Sequence, residues 1–147
     1  MLLVSNVLRA KGSTIYTVEK DTTTIEALEL MAEKNVGALL VMDNKEVVGI
    51  FSERDFVRQV AKDKALLLKM PVGSFMTKEV YSVTSSDTID ECMALMTNKH
   101  FRHLPVCDEG QLVGLISIGD VVKQSIEDKN LLISNMEDYI LGRGFGK

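Results

Sequence analysis

A self-match at a constant offset of 65 residues restricts what this chain can fold into more than any other feature. Without a gap, Tyr16 falls on Tyr81, Val18 on Val83, Leu30-Met31 on Leu95-Met96 and Lys34 on Lys99. Leu39, Val41 and Asp43 fall on Leu104, Val106 and Asp108. Val48-Gly49 falls on Val113-Gly114, Ser52 on Ser117 and Asp55 on Asp120. The sequence is therefore two copies of one unit of roughly 60 residues, too few copies and too long a period for an ordinary solenoid. Two such units are expected to share one core, which 147 residues suffice to build.

Each copy carries the same order of signals. A short apolar strand, IYTV (residues 15–18) or VYSV (80–83), is followed by a stretch rich in Asp, Thr and Ser that supplies helix caps. The next helix places Ile25, Leu28, Met31 and Ala32 on one face in the first copy. In the second copy that face carries Ile89, Cys92, Met93 and Met96. An apolar run, ALLVMD (38–43) or HLPVCD (103–108), then turns at Asn44-Lys45 or Glu109-Gly110 into VVGIFS or LVGLIS. This pattern predicts a β-hairpin, with a second helix starting after the serine. The reading is β-α-β-β-α, twice, an α+β chain.

By chain order, residues 1–62 form the first motif with an N-terminal helix, and 63–75 form a linker marked by Pro71 and Gly73. Residues 76–125 form the second motif, and 126–147 a last amphipathic helix and a glycine-rich tail expected to fray.

Composition matters here for what it excludes. A net charge of −4 gives no global case for nucleic acid or an anionic membrane. No apolar run approaches the ~20 residues of a membrane span. The start, MLLVSNVLRAKG, lacks a basic stretch and a small-residue cleavage site, so it does not read as a signal peptide. Cys92 and Cys107 form no C-x-x-C and read as buried thiols of a reducing cytoplasm. His100 and His103 have no metal-ligand partners at suitable spacing, so no metal is expected. No spacing suggests a nucleophile–base set or a carboxylate pair.

The chemistry concentrates at the ends of the two hairpins, in GIFSERD (49–55) and GLISIGD (114–120). Ser52 with Asp55, and Ser117 with Asp120, have the spacing of a capping box. The same place is also a helix N-terminus behind a strand, with free N–H groups and a positive dipole end suited to phosphate. An aspartate there has acceptors for both hydroxyls of a ribose. Three details tilt toward a ligand: Asp replaces the usual Glu or Gln, Gly49 and Gly114 recur before the strand ends, and Arg54 sits where the helix dipole disfavours a cation. A second cluster, Phe101, Arg102 and His103, precedes the buried strand of the second copy, and its guanidinium can fork onto phosphate oxygens. Val36, Gly37 and Ala38 occupy those places in the first copy, so the two copies are not equivalent. Lys11 and Lys78, just before the first strands, can add charge.

Two β-α-β-β-α copies with VGALLVMD, VVGIFSERD, FRHLPVCD and LVGLISIGD resemble the CBS domain, over roughly residues 5 to 125. A tandem pair is a Bateman module, and MEDYILGR with AKGSTIYTV looks like the stand-alone bacterial type, a sensor rather than an enzyme. The resemblance implies pseudo-twofold packing of tandem CBS domains with two clefts that take adenosine ligands such as AMP, ATP, NAD(H) or S-adenosylmethionine. One cleft would combine Ser52, Arg54 and Asp55 with Phe101, Arg102, His103, Tyr81 and Ser82. The other would combine Ser117, Gly119 and Asp120 with Val36, Gly37, Ala38, Thr14, Tyr16 and Thr17. It implies AMP in the first, more cationic cleft and NAD(H) or a second nucleotide in the other. It further implies a cytoplasmic homodimer, an unidentified regulated partner, and no catalysis. The competing readings are a structural dimerisation protein with vestigial sites and a nucleotide-processing enzyme.

Overall fold

The computed structural model describes residues 1–64 and 67–140, and the GRGFGK tail lies outside the described residues. The chain divides into two compact units, Thr14–Tyr81 and Met1–Ser13 together with the chain from Ser82 on. The N-terminal helix, placed with the first motif by chain order, thus packs with the second repeat.

In the Thr14–Tyr81 unit, β1 (Thr17–Glu19) leads through α2 (Thr24–Lys34) to β2 (Ala38–Asp43), which turns into β3 (Glu46–Ser52) and α3 (Glu53–Asp63). β1 pairs parallel to β2 and β2 antiparallel to β3. Thr23 caps α2 by accepting from the Glu26 amide at 3.3 Å, and Asn35 ends it in the left-handed conformation. The core is Ala27, Met31, Leu39, Val41, Phe51 and Val72. The buried face of α2 is therefore Thr24, Ala27 and Met31, while Ala32 is exposed and Ile25 and Leu28 are only half-buried. The expected face of this helix was one residue out of phase. The repeat itself carries the correct phase, since Ile89, Cys92 and Met96, the buried face of the second copy, fall on Thr24, Ala27 and Met31.

Val72 corrects a second expectation. Read as linker, it is 0% exposed and sits in the core of the first repeat. Its amide donates to the Thr22 carbonyl at 2.7 Å, and the short 3-10 turn Val72–Ser74 brings Thr77 alongside Ile50.

In the other unit, α4 (Ile89–Lys99), β4 (His103–Asp108) and β5 (Gln111–Ser117) repeat the design, capped by Thr88 and ended by His100 in the left-handed conformation. Both hairpins carry a register shift at the same place, between Val41 and Met42 and between Val106 and Cys107. At the second turn, Glu109 and Gly110 have φ of 51° and 75°, the positive values a tight mirror-image turn requires. α1 (Val4–Lys11) covers this unit through Val4 and Val7, and the Val4 amide donates to the Asp87 backbone carbonyl at 2.9 Å.

Two elements differ from the sequence expectation here. VYSV makes no strand, only the single parallel bridge Val83 to Val106. In the first copy the Leu40 amide donates to the Tyr16 carbonyl, but its counterpart is Pro105, which has no N–H to give Tyr81. At the other end of the ladder, the Ser85 amide donates to the Asp108 carboxylate at 2.9 Å. The expected separate terminal helix from 126 is also absent, because α5 runs unbroken from Ile118 to Ile140. Among the described residues no helix is long and apolar enough to cross a membrane.

Candidate functional site

Each hairpin delivers its serine to the first turn of a helix, and each serine closes a capping box with the aspartate three residues on. At the first, the Ser52 amide donates to Asp55 Oδ2 at 2.9 Å, and the Asp55 amide donates to Ser52 Oγ at 3.3 Å. At the second, the Ser117 amide donates to Asp120 Oδ2 at 2.8 Å, and the Asp120 amide donates to Ser117 Oγ at 3.1 Å. The helix starts are tied to their own units alike: the Glu53 amide donates to the Gly37 carbonyl at 3.0 Å, and the Ile118 amide to the Arg102 carbonyl at 2.8 Å.

The two carboxylates diverge in what else they touch. Asp55 Oδ1 accepts from the Thr77 hydroxyl at 2.9 Å, a neutral donor. Asp120 Oδ2 lies 2.6 Å from the Lys11 ammonium, which also donates to the Leu115 carbonyl at 2.8 Å. Burial disfavours the charge on Asp120, but the Lys11 contact and the Ser117 amide outweigh it and hold the carboxyl below its ordinary range. Arg54 lies half-buried in the first turn of α3, whereas the matching place in α5 is the exposed Gly119.

Gly49 and Gly114, taken in the sequence as hints of a ligand, have a packing role. A Cβ on Gly49 would lie 2.5 Å from Met76 Sδ and 2.8 Å from the Thr77 carbonyl oxygen. One on Gly114 would lie 2.6 Å from Leu8 Cδ2. Both glycines let the segment ahead of the other repeat approach the strand. Thr77 itself carries no signal in the sequence, because it stands ahead of the first matched pair, Tyr16 with Tyr81, and no local pattern ties it to Asp55.

The remaining candidates divide between the units. With Ser52, Arg54 and Asp55 lie Thr14, Tyr16, Thr17, Val36, Gly37, Ala38 and Tyr81. Ala38 is buried and paired with Ser52 across β2 and β3, and the Lys34 ammonium lies 5.6 Å from the centre of the Tyr16 ring. With Ser117, Gly119 and Asp120 lie Ser82, Phe101, Arg102 and His103, of which Ser82 and Arg102 are exposed. His103 pairs with Ser117 across β4 and β5 as Ala38 does with Ser52. Among the described residues no group of three His, Cys, Asp or Glu is placed to hold a metal ion.

The family model of the CBS domain matches residues 11–62 and 72–127. The chain belongs to the CBS domain family. An uncharacterized 17.7 kDa protein of Acidianus ambivalens is 31% identical over 144 residues, covering 97% of this chain and 86% of that protein. A solved structure of a protein with CBS domains from Burkholderia ambifaria MC40-6 is 49% identical, with a TM-score of 0.82 over 86% of this chain and 95% of that one. The crystal structure of CBSX2 in complex with AMP is 26% identical, with a TM-score of 0.69 over 86% of this chain and 98% of that one. The two CBS repeats seen here are thus an α+β pair of a known kind, and one relative of this fold, CBSX2, is solved with AMP bound.

Proposed function

We propose that this CBS pair is a non-catalytic regulatory module of the cytoplasm that binds an adenine nucleotide and works as a homodimer. The observation that carries it is the pair of strand-to-helix junctions at Ser52 and Ser117. Each holds an aspartate carboxylate by its cap at the positive end of a helix. Asp55 would take the two ribose hydroxyls, and Arg54 with the α3 N-terminus would take phosphate. AMP is the favoured ligand, supported by the AMP complex of CBSX2, with ATP and NAD(H) as alternatives. The Asp120 junction lacks an arginine at Gly119, and its carboxylate already holds Lys11, so it is the weaker or differently occupied of the two. A ligand that prefers one arrangement of the protein shifts the population presented to a regulated partner, and that differential affinity is the signal.

Calorimetric titration with AMP, ATP, NAD and S-adenosylmethionine tests this. AMP binding that Asp55→Ala abolishes and Asp120→Ala leaves largely intact is the expected result. No adenosine compound binding, or an unchanged Asp55→Ala isotherm, overturns the reading. Turnover of ATP or NAD by the purified protein overturns its non-catalytic part.

A further inference from the structure

We infer that Lys11 is the residue that closes the Ser117 junction to a ribose, so that the chain takes one adenosine ligand, at Ser52, and not two. This rests on the functional reading above and names what decides the specificity of its second site.

The 65-residue offset sets Ile50 on Leu115 and Thr77 on Gly12, the residue after Lys11. In the Thr14–Tyr81 unit, Thr77 grips the strand-to-helix junction at two points. Its amide donates to the Ile50 carbonyl at 2.8 Å, and its hydroxyl to Asp55 Oδ1 at 2.9 Å. In the other unit a single ammonium makes both contacts. Lys11 Nζ donates to the Leu115 carbonyl at 2.8 Å and to Asp120 Oδ2 at 2.6 Å. Its side chain thus fills the place that a backbone amide and a hydroxyl fill in the first repeat.

The backbone behind that side chain is fixed as well. α1 ends at Lys11, where Gly12 closes it with a φ of 91° and an amide bond to the Leu8 carbonyl at 2.8 Å. The start of the helix is fastened by the Val4 and Ser5 amides, which donate to the Asp87 and Ser85 carbonyls at 2.9 Å each. Val4 and Val7 are buried. The lysine therefore leaves Asp120 only by turning its own side chain.

The number of donors does not separate the two carboxylates, but their charge does. Asp55 accepts from the Ser52 amide, the Ser52 hydroxyl and the Thr77 hydroxyl, all neutral. A ribose hydroxyl that replaces one of these hydroxyls exchanges like for like, and the freed group can bond the sugar or water. At Asp120 the ribose has to displace an ammonium. The Lys11 and Asp120 side chains are 32% and 24% exposed, so parting them leaves two partly desolvated charges that a neutral sugar hydroxyl does not compensate. Apparent affinity falls with the fraction of molecules in which the carboxylate is open: roughly one in ten weakens binding about tenfold. Gly119 brings no phosphate donor side chain to offset this, whereas Arg54 stands at that place in α3.

Calorimetric titration of the full chain at pH 8, with AMP and separately with adenosine, tests the inference. Adenosine has no phosphate, so it reports ribose access without any attraction to the lysine charge. The wild type is expected to bind one equivalent of AMP, lost in Asp55→Ala. Lys11→Met is expected to gain a second equivalent of both probes, at least tenfold tighter than any binding the wild type shows there. Adding Asp120→Ala to that variant should remove the gain, and Lys11→Arg, which keeps the charge, should stay at one equivalent. A gained ligand does not follow from lost stability, so a merely structural role for Lys11 leaves the stoichiometry unmoved. Hydrogen-exchange protection in α4 verifies folding, and Lys11→Gln is read in the same way as Lys11→Met. Two equivalents in the wild type, no gain in either uncharged variant, or a gain that survives Asp120→Ala overturns the inference. So does weaker AMP binding in Lys11→Met, which would put the ligand's phosphate on Lys11. A wild type that binds neither probe strikes the functional reading instead, and the role of Lys11 is then scored on the gain in its uncharged variants alone.

Discussion

The Thr77 hydroxyl donates to Asp55 Oδ1 at 2.9 Å, so a residue just ahead of the second repeat completes the helix start that ends the first. Lys11, just ahead of the first repeat, does the same for Asp120 at 2.6 Å. Each lead-in segment belongs to the compact unit of the other repeat. The chain is therefore symmetric in plan but not in charge, because one lead-in brings a neutral hydroxyl and the other a cation.

The cap at Ser52 is expected to contribute measurably to stability. Ser52→Ala leaves the Asp55 amide without its acceptor and is expected to cost about 1 kcal/mol in urea unfolding. Thr77→Val removes one donor from the carboxylate and is expected to cost ~1 kcal/mol. An unchanged midpoint in either variant contradicts the cap as described.

Lys11→Met is expected to raise the pKa of Asp120 markedly, because burial then acts on the carboxylate without its cation. The sign follows from the depressed native value. In the wild type the contribution to stability is present above the unfolded carboxylate pKa and is lost as pH falls through the lower native one. The variant is expected to lose that acid-range dependence and to be less stable at neutral pH. NMR titration of the Asp120 carboxyl carbon, beside melting curves from pH 2 to 7, checks both statements.

Gly49→Ala is expected to destabilise more than Gly114→Ala. The first sets a methyl group 2.8 Å from the Thr77 carbonyl oxygen, which is backbone, as well as against Met76. The second meets the Leu8 side chain, which can rotate away. Overpacking of this kind costs roughly 1 to 3 kcal/mol, and equal melting temperatures would contradict the close approach at β3.

The two thiols are expected to react in sequence with Ellman's reagent. Cys107 is half-buried, whereas Cys92 is fully buried and its thiol is pushed up to about 11, by burial first and then by Asp87 and Glu91. One thiol per chain should react in the native protein, and the second only at the rate of unfolding. Two thiols reacting at one rate would contradict the packing of α4.

The β-α-β-β-α plan of the first copy, the same plan without its first strand in the second, both hairpins with their turns and both capping boxes were legible in the residues, because each depends on neighbours close in the chain. Ser52 needs only Asp55 three residues on, and Thr88 needs only Glu91. Where a residue's partner lies far along the chain, local pattern failed. It assigned α1 to the wrong repeat, called buried Val72 a linker, read Gly49 as a ligand hint and had nothing to say of Thr77. The offset of 65 residues even contained one answer left unread, since the buried face of α4 carries over directly to α2. By itself the sequence determined the repeating unit and the place of its two aspartates, since periodicity and caps act within a few residues. Only the tertiary structure decided what each aspartate faces. Folding brings Lys11 to Asp120 across 109 residues and Thr77 to Asp55 across 22, and short-range propensity carries no information over such distances.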